Sequence, residues 1–588
     1  MPAQGASPAT LCHAFQRTAA ARPDAPALLT PEGEAITWAQ YAARAASVAG
    51  GLHGLGTRHG DTVALMLTNR PEFHIVDCAA LHLGAIPFSL YNTLPPDQIT
   101  DLLTRSGARV LVTEARFLPV LRQALTGTDV RHLITVDGAA EGTLDLPALA
   151  EAAADDFDFA AHWHRVAADD VLTLIHTSGT TGRPKAVEIT HAGMTAQLDA
   201  TGELFGLTEE DTHVSFLPAA HIADRWASHY TQMRFGTRLT CVADLRKLPE
   251  ALTAVRPTMF GAVPAVWQRM RAVLSKAVAD SEPELRALVE SCVATGRRAA
   301  DLARSGPLTD DQAHELARAE PVLAELRRRL GLDRARVCVT GAAPAPEGLI
   351  EFFQGIGLPL GDAWGMSELS GMGLMNRPGH ARPGTVGRPV PGARVRIAED
   401  GELLLSAPFV MRGYRDDPEL TAEAIDSEGW LHTGDIATVD AEGYVRIVDR
   451  KKDLIINTGG KVMSPARIEA VLTASTPLIG HAVVVGDARP HNVALVVLDP
   501  EQVADWAART GRSAAEPARA YAKELEEAVA LAVEDANTRL SRPEQIRGHA
   551  VLTEEWTPGG TELTVTHKVR RAGVAERHAA LIESLYTD

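Results

Sequence analysis

Val171–Lys185 reads VLTLIHTSGTTGRPK. Its opening VLTLI is a short apolar run of the kind that forms a buried strand. The nine residues Thr177, Ser178, Gly179, Thr180, Thr181, Gly182, Arg183, Pro184 and Lys185 then gather four hydroxyls, two glycines and a lysine. Glycines let a turn bring backbone N–H groups toward an anion, hydroxyls add donors, and a lysine supplies a mobile point charge. A strand followed by such a turn handles polyphosphate. The spacing is not GxxxxGK[ST], so the common nucleotide-binding loop is not what this is. An ordinary polar loop after a strand has a similar composition, so the reading depends on the rest of the chain.

Working outward, the segments DTVALMLTN (61–69), ARVLVTEA (108–115) and VRHLITVDG (130–138) repeat the buried-strand pattern, with helix-length text such as PEFHIVDCAALHLG (71–84) between the first two. The expected class is therefore α/β. Between Val266 and Leu330 the text becomes long and charge-rich, which predicts helices covering a surface. GELLLSAPFV (401–410) predicts strands, and YVRIVDRKKDLIINTGGKVMSPARIEAVL (444–472) places strand, charged turn, strand, Gly-Gly turn and helix in quick succession. That succession predicts a large N-terminal domain over residues 1–449 and a small C-terminal α/β domain over 450–588, joined by a polar hinge. VVVGDA (483–488), NVALVVLD (492–499) and HAVLT (549–553) are the small domain's expected strands. No repeat period is visible.

The chain has 588 residues, 45% of them hydrophobic, and 57 Lys+Arg against 75 Asp+Glu give a net charge of -18. That is enough apolar material for a sizeable core, and the excess of negative charge gives no case for a nucleic-acid partner. Cys12, Cys78, Cys241, Cys292 and Cys338 are scattered with no CxxC pair, which argues against a disulfide framework and a thiolate zinc site. The N-terminal text lacks a secretory pattern and no window reaches 18 uninterrupted apolar residues. A cytoplasmic location is expected, with peripheral membrane contact left open because an amphipathic patch suffices for it.

Two further segments carry chemistry. GDAWGMSE (361–368) sets Asp362, Ala363, Trp364, Gly365, Met366, Ser367 and Glu368 in one stretch, where a ring can stack on a base, Ser367 can donate to a phosphate and Glu368 can hold a divalent cation. Trp364 taken alone reads as core packing. GWLHTGD (429–435) ends in Asp435, an acid able to accept two ribose hydroxyls, though a polar turn is an equal reading in isolation. Lys568, in TELTVTHKVRR (561–571), reads by itself as a solvent-exposed cation.

Taken together, TSGTTGRPK, GDAWGMSE, LHTGDI, VDRKKDLI, GGKVMSPARIE and TELTVTHKVRR resemble the signature segments of the adenylate-forming enzyme superfamily, and within it the long-chain fatty-acid:coenzyme A ligases. The resemblance spans Leu28 to Tyr586. It implies ATP, Mg2+ and coenzyme A as cofactors, a fatty acid as substrate, and activation of the acid as acyl-AMP followed by transfer to the thiol. It also implies that Thr177 to Gly182 and Lys185 form the phosphate loop. Gly341, Ala342 and Ala343 would line one face of adenine, Asp362 to Ser367 would wrap the nucleotide, and Glu368 would hold the metal. Asp435 and Arg450 would bind the ribose, Lys568 would be the catalytic lysine of adenylation, Lys452 the hinge, and Gly459 part of the coenzyme A channel. His221, in LPAAHIADR (217–225), would lie near the acyl tunnel, although His221 with Arg225 four residues on is also an ordinary helical face. Ala186 replaces the usual Gly after the loop lysine, and Trp364 the usual Tyr or Phe. Two other readings share these segments: acyl-AMP delivered to a separate carrier protein, and a non-catalytic nucleotide- and acyl-binding protein.

Overall fold

The computed structural model describes residues 9–178, 184–346, 348–377, 380–511, 521–552, 554, 556–557, 559–564 and 568–587. The chain divides into two compact units. One comprises Met1–Arg396, Leu404–His432 and Asp440–Val445, and the other Ile397–Leu403, Thr433–Val439 and Arg446–Asp588.

In the first unit, the strand Thr62–Met66 is buried at every position, as a parallel strand covered on both faces must be. It sits in a five-stranded parallel sheet ordered Ile86–Ser89, Thr62–Met66, Val110–Thr113, His132–Thr135, Leu144–Asp145. The helix Pro71–His82 supplies the first crossover, with proline in its first turn, where a missing N–H costs nothing. A second sheet is ordered Met259–Ala262, Val337–Gly341, Leu360–Met366, Gly371–Met375, Arg388–Pro389. Its first three strands are parallel and its last two antiparallel. The helices Pro264–Ala279, Pro283–Ala303 and Asp310–Arg329 occupy the charge-rich stretch as expected. Trp267, fully buried, meets Phe260 and Phe353 edge-on beneath them.

Val171–Ser178 pairs antiparallel with Pro184–Thr190 in a hairpin, and Gly413–Tyr414 adds a short third strand. Residues 171–175 are buried, as their text implies. The two strands run antiparallel because the five residues between them are too few for a crossover.

In the second unit, Ile479–Val485, Asn492–Leu498 and Ile546–Leu552 form a three-stranded mixed sheet. Alternation along the strands divides it into two cores. Ala482, Val484, Ala494 and Val496 pack with Ile468 and Leu472 of the helix Pro465–Ser475 and with Val529 and Val533 of the helix Ala522–Arg539. Val483, Val493, Leu495 and Val497 face the other way, onto Trp556, Leu563, Val574 and Ile582. Ile455–Ile456 and Val462–Met463 form a separate two-stranded hairpin. No helix among the described residues is long and apolar enough to cross a membrane, and the five cysteines are buried and unpaired.

Candidate functional site

In the first unit the hairpin sets Thr177 opposite Lys185 and Ser178 opposite Pro184. Gly179, Thr180, Thr181 and Gly182 lie outside the described residues. Lys185 places its Nζ 4.9 Å from the centre of the Tyr414 ring. That ring is delivered by the neighbouring strand, in which Tyr414 registers with Val187. The Tyr414 hydroxyl in turn donates to Glu368 Oε1 at 2.8 Å, and the Met411 N–H donates to the Glu368 carbonyl at 2.7 Å. A cation–π contact and a hydrogen bond thus link the loop lysine to the acid through one ring. Burial and the Glu368 charge push the Tyr414 phenol well above its ordinary range, so it stays a donor.

Glu368 is 7% exposed. Among the described residues no group of three or more His, Cys, Asp or Glu could hold a metal ion. A single carboxylate suits Mg2+, which keeps several waters and takes phosphate oxygens beside one or two protein acids. The Glu368 carboxylate therefore fits Mg2+ brought with a polyphosphate.

The strand Val337–Gly341 runs parallel to Leu360–Met366, with Thr340 opposite Asp362 and its last residue, Gly341, opposite Ala363. Ligands of open α/β sheets bind at such C-terminal strand ends. A Cβ on Gly341 would lie 2.5 Å from the Ala363 carbonyl oxygen, and one on Gly365 1.9 Å from that of Gly371, so the backbones approach as only glycine permits. Ala342 takes a left-handed conformation at φ 66°, uncommon for a residue with a Cβ, and Ala342 and Ala343 are exposed. Burial raises the Asp362 carboxyl to about 7, against the pull of the Ala363 N–H. Trp364 and Met366 follow on the same strand, paired with Leu374 and Gly371, and Ser367 opens a single 3-10 turn that carries Glu368.

His221 caps the short helix Ile222–Asp224, accepting from the Ala223 N–H at 3.1 Å. Arg225 does not lie on an exposed helical face. It is fully buried, 2.5 Å from Asp77 Oδ2, and it donates to Tyr230. His229 meets the other Asp77 oxygen at 2.9 Å, and the backbone from Arg225 to Tyr230 widens to a π-helix, a local irregularity often found near functional sites.

In the second unit, Asp435 is 3% exposed and its Oδ1 lies 2.7 Å from Arg450 Nε on the adjoining strand. Lys451 pairs with Asp400 at 2.5 Å and Glu402 at 3.0 Å, while Lys452 is exposed in the turn Lys451–Asp453. Gly459 donates its N–H to Asn457 Oδ1 at 3.0 Å in the next hairpin turn. Lys568 retains an exposed surface, yet its ammonium is held below the usual lysine range. Desolvation is the main cause and the Arg450 charge adds to it, with Asp435 pulling the other way. The Lys568 side chain has no hydrogen-bond or ion-pair partner among the described residues. Of the residues linked to the expected site, Tyr414 carried no signal in the sequence, being one aromatic in an unremarkable strand.

Comparison with known proteins gives the family. Residues 15–415 match the AMP-binding enzyme family and residues 452–588 the AMP-binding enzyme C-terminal domain. Over 451 residues the chain is 46% identical to fadD11 of Mycobacterium tuberculosis (strain CDC 1551 / Oshkosh), provisionally named a fatty-acid–CoA ligase, covering 76% of this chain and 79% of that protein. It is 33% identical over 560 residues to the long-chain-fatty-acid–CoA ligase FadD15 of Mycobacterium bovis, covering 94% and 92%. In fold it is similar to the anthranilate CoA ligase AuaEII solved with anthranoyl-AMP, with TM-score 0.73, 22% identity and 98% of each chain covered. It is similar also to a fatty acyl CoA synthetase of Mycobacterium tuberculosis, with TM-score 0.61, 22% identity and 97% and 99% covered. The chain belongs to the AMP-binding, adenylate-forming enzyme family.

Proposed function

We propose that the chain is an ATP-dependent fatty-acid–coenzyme A ligase, acting on a long-chain acid. Its family and the names of its relatives support the reaction class, and FadD15, long-chain by name, supports the substrate. The observation that carries the reading is the convergence of Lys185 and Glu368 on the two faces of Tyr414 chemistry, its ring and its hydroxyl.

A carboxylate resists nucleophilic attack because it is charged and lacks a good leaving group, and esterification to AMP removes both obstacles. The acid oxygen attacks the α-phosphorus of ATP and pyrophosphate leaves. Charge builds on phosphate oxygens, so catalysis is mostly a pre-oriented positive cage and needs no protein nucleophile. Lys185, with Thr177 to Gly182, cradles the leaving phosphates. Lys568 neutralises charge at the reacting oxygens; its poorly compensated ammonium suits that task. Glu368 would hold Mg2+, which would supply Lewis-acid charge at the phosphates. Gly341, Ala342, Ala343 and the segment Asp362 to Ser367 receive adenine, and Asp435 with Arg450 receives the ribose hydroxyls. The coenzyme A thiol then attacks the acyl-adenylate and expels AMP, with Lys452 as the hinge between steps and Gly459 lining the coenzyme A channel. His221 stands beside the acyl chain.

Each buried methylene is worth ~0.8 kcal/mol, so a lined acyl site separates chain lengths strongly. Pyrophosphate release across fatty acids of graded length, with and without coenzyme A, tests the proposal. It predicts release that depends on the acid, rises with chain length to an optimum, and yields acyl-CoA when the thiol is present. Release that ignores the acid, or thioester formed only on a carrier protein, contradicts it.

A further inference from the structure

Lys568 is carried by a small hairpin in the second unit. Its N–H donates to Thr564 Oγ1 at 3.0 Å, the Thr564 N–H donates to the Lys568 carbonyl at 2.8 Å, and the Arg570 N–H donates to the Glu562 carbonyl at 2.7 Å. Leu563 bridges to Val569 within it. These bonds fix the lysine within the hairpin, Arg577 Nη1 holds Glu562 Oε1 at 2.7 Å from the helix that follows it, and Leu563 and Val569 pack into the core around Val483 and Leu495. Apolar contact is non-directional.

A two-pronged polar connection joins this segment to the helix Pro465–Ser475. Arg571, three residues after Lys568 and first in the helix Arg571–Arg577, sends Nη1 to Glu469 Oε1 and Nη2 to Glu469 Oε2, both at 2.6 Å. Glu469 belongs to the helix Pro465–Ser475, and its Oε1 also accepts the Val484 N–H at 2.7 Å from the strand Ile479–Val485. The pair is largely buried, with side chains 23% and 15% exposed. A planar fork on a carboxylate fixes rotation as well as distance, which a point charge does not. A single carboxylate therefore ties together the base of the lysine hairpin, a helix and a core strand.

We propose that Glu469 and Arg571 form a positioning clamp for the adenylation half-reaction, setting the direction in which Lys568 is presented. Neither residue touches substrate. The inference rests on the reading of Lys568 given above and adds what aims it. The clamp matters only in the step that uses Lys568, so its loss separates the two half-reactions, whereas loss of general stability lowers both.

The test uses full-length Glu469→Gln and Arg571→Lys enzymes, which keep size and most packing, beside wild type and Lys568→Met. Three quantities are measured: hexadecanoate-dependent ATP–pyrophosphate exchange with Mg2+, thioester formation from synthetic hexadecanoyl-AMP and coenzyme A, and the thermal midpoint. A misplacement of about 1 Å can lower a rate by about a hundredfold, so exchange kcat is expected to fall about tenfold to a hundredfold, with the KM for ATP little changed. Transfer from the supplied adenylate is expected to stay within about twofold of wild type. Equal losses in both half-reactions, or exchange at the wild-type rate in both variants, would overturn the clamp. If Lys568→Met abolishes exchange while the clamp variants retain it, only the clamp falls. A wild-type enzyme without exchange removes the ligase reading and the clamp with it.

Discussion

Glu368 and Lys568 carry opposite charges that the proposed reaction uses together, and the fold treats them in opposite ways. Glu368 is 7% exposed and already holds a phenol donor at 2.8 Å. Lys568 is exposed, without a side-chain partner among the described residues, and depressed by desolvation and a neighbouring arginine. An acid that waits for a metal gains from a fixed donor, because the oxygen that must bind the ion is pre-oriented. A lysine that must meet developing charge gains from the reverse, because any resident counter-ion would compete with the transition state. The two regions teach that a site can be pre-built for the resident ligand and left uncompensated for the reacting one.

The sharpest way to break this comparison is Lys568→Met. Acyl-adenylate formation is expected to fall by about 10²–10³, the scale of a lost transition-state charge contact, while transfer from supplied adenylate remains. Stability should move the other way. Because the folded-state pKa lies below the unfolded one, the charged form is disfavoured in the fold. That penalty is present at neutral pH and disappears as pH rises above the unfolded value. Thermal unfolding at pH 7 should therefore show Lys568→Met at least as stable as wild type, and a clear loss of stability would refute the uncompensated-charge reading.

Glu368→Gln comes next. Losing the carboxylate should raise the Mg2+ concentration needed for half-maximal exchange by about a hundredfold, without the gain in stability expected of the lysine variant. Tyr414→Phe is milder. It keeps the ring under Lys185 but withdraws the donor from Glu368, so Mg2+ dependence should shift by about tenfold, as for other partners of metal ligands. An unsatisfied buried acceptor should also cost about 1–3 kcal/mol in denaturant unfolding. An unchanged Mg2+ titration in Tyr414→Phe would show that the phenol does not orient the acid. The smallest effect is on pH. Exchange should decline on the alkaline side at a pH below the ordinary lysine range, and Arg450→Gln should move that limb upward by removing a repulsive charge. A limb unmoved in that variant would locate the titration elsewhere.

Much of this was legible in the text of the chain. Strands such as Thr62–Met66 and Asn492–Leu498 are short apolar runs whose burial follows from composition, and the charge-rich stretch from Val266 could hardly be anything but helix. Asp362 to Glu368 stood out because acid, ring and hydroxyl crowd one segment. Tyr414 did not, because its significance is a relation through space between two strands and a turn remote in sequence. His221 with Arg225 four residues on could be read as an ordinary helical face, because periodicity cannot reveal that Asp77, on another helix, waits inside to pair with Arg225. The second unit also takes in 397–403 and 433–439, where Thr433 Oγ1 donates to the Leu403 carbonyl and the Gly434 N–H to Glu402. Such pairing leaves no shift in composition to mark it. Glu469 and Arg571 each close a signature segment, but they lie 102 positions apart in the chain, and only the fold reveals that they pair.

The most direct test of the whole account is exchange of labelled pyrophosphate into ATP by the intact, Mg2+-supplied enzyme, with fatty acids of graded length and no coenzyme A present. The account predicts exchange that requires the acid and disappears in Lys568→Met. A folded wild-type enzyme that forms acyl-CoA yet never exchanges pyrophosphate, or that exchanges equally well without Lys568, would contradict it.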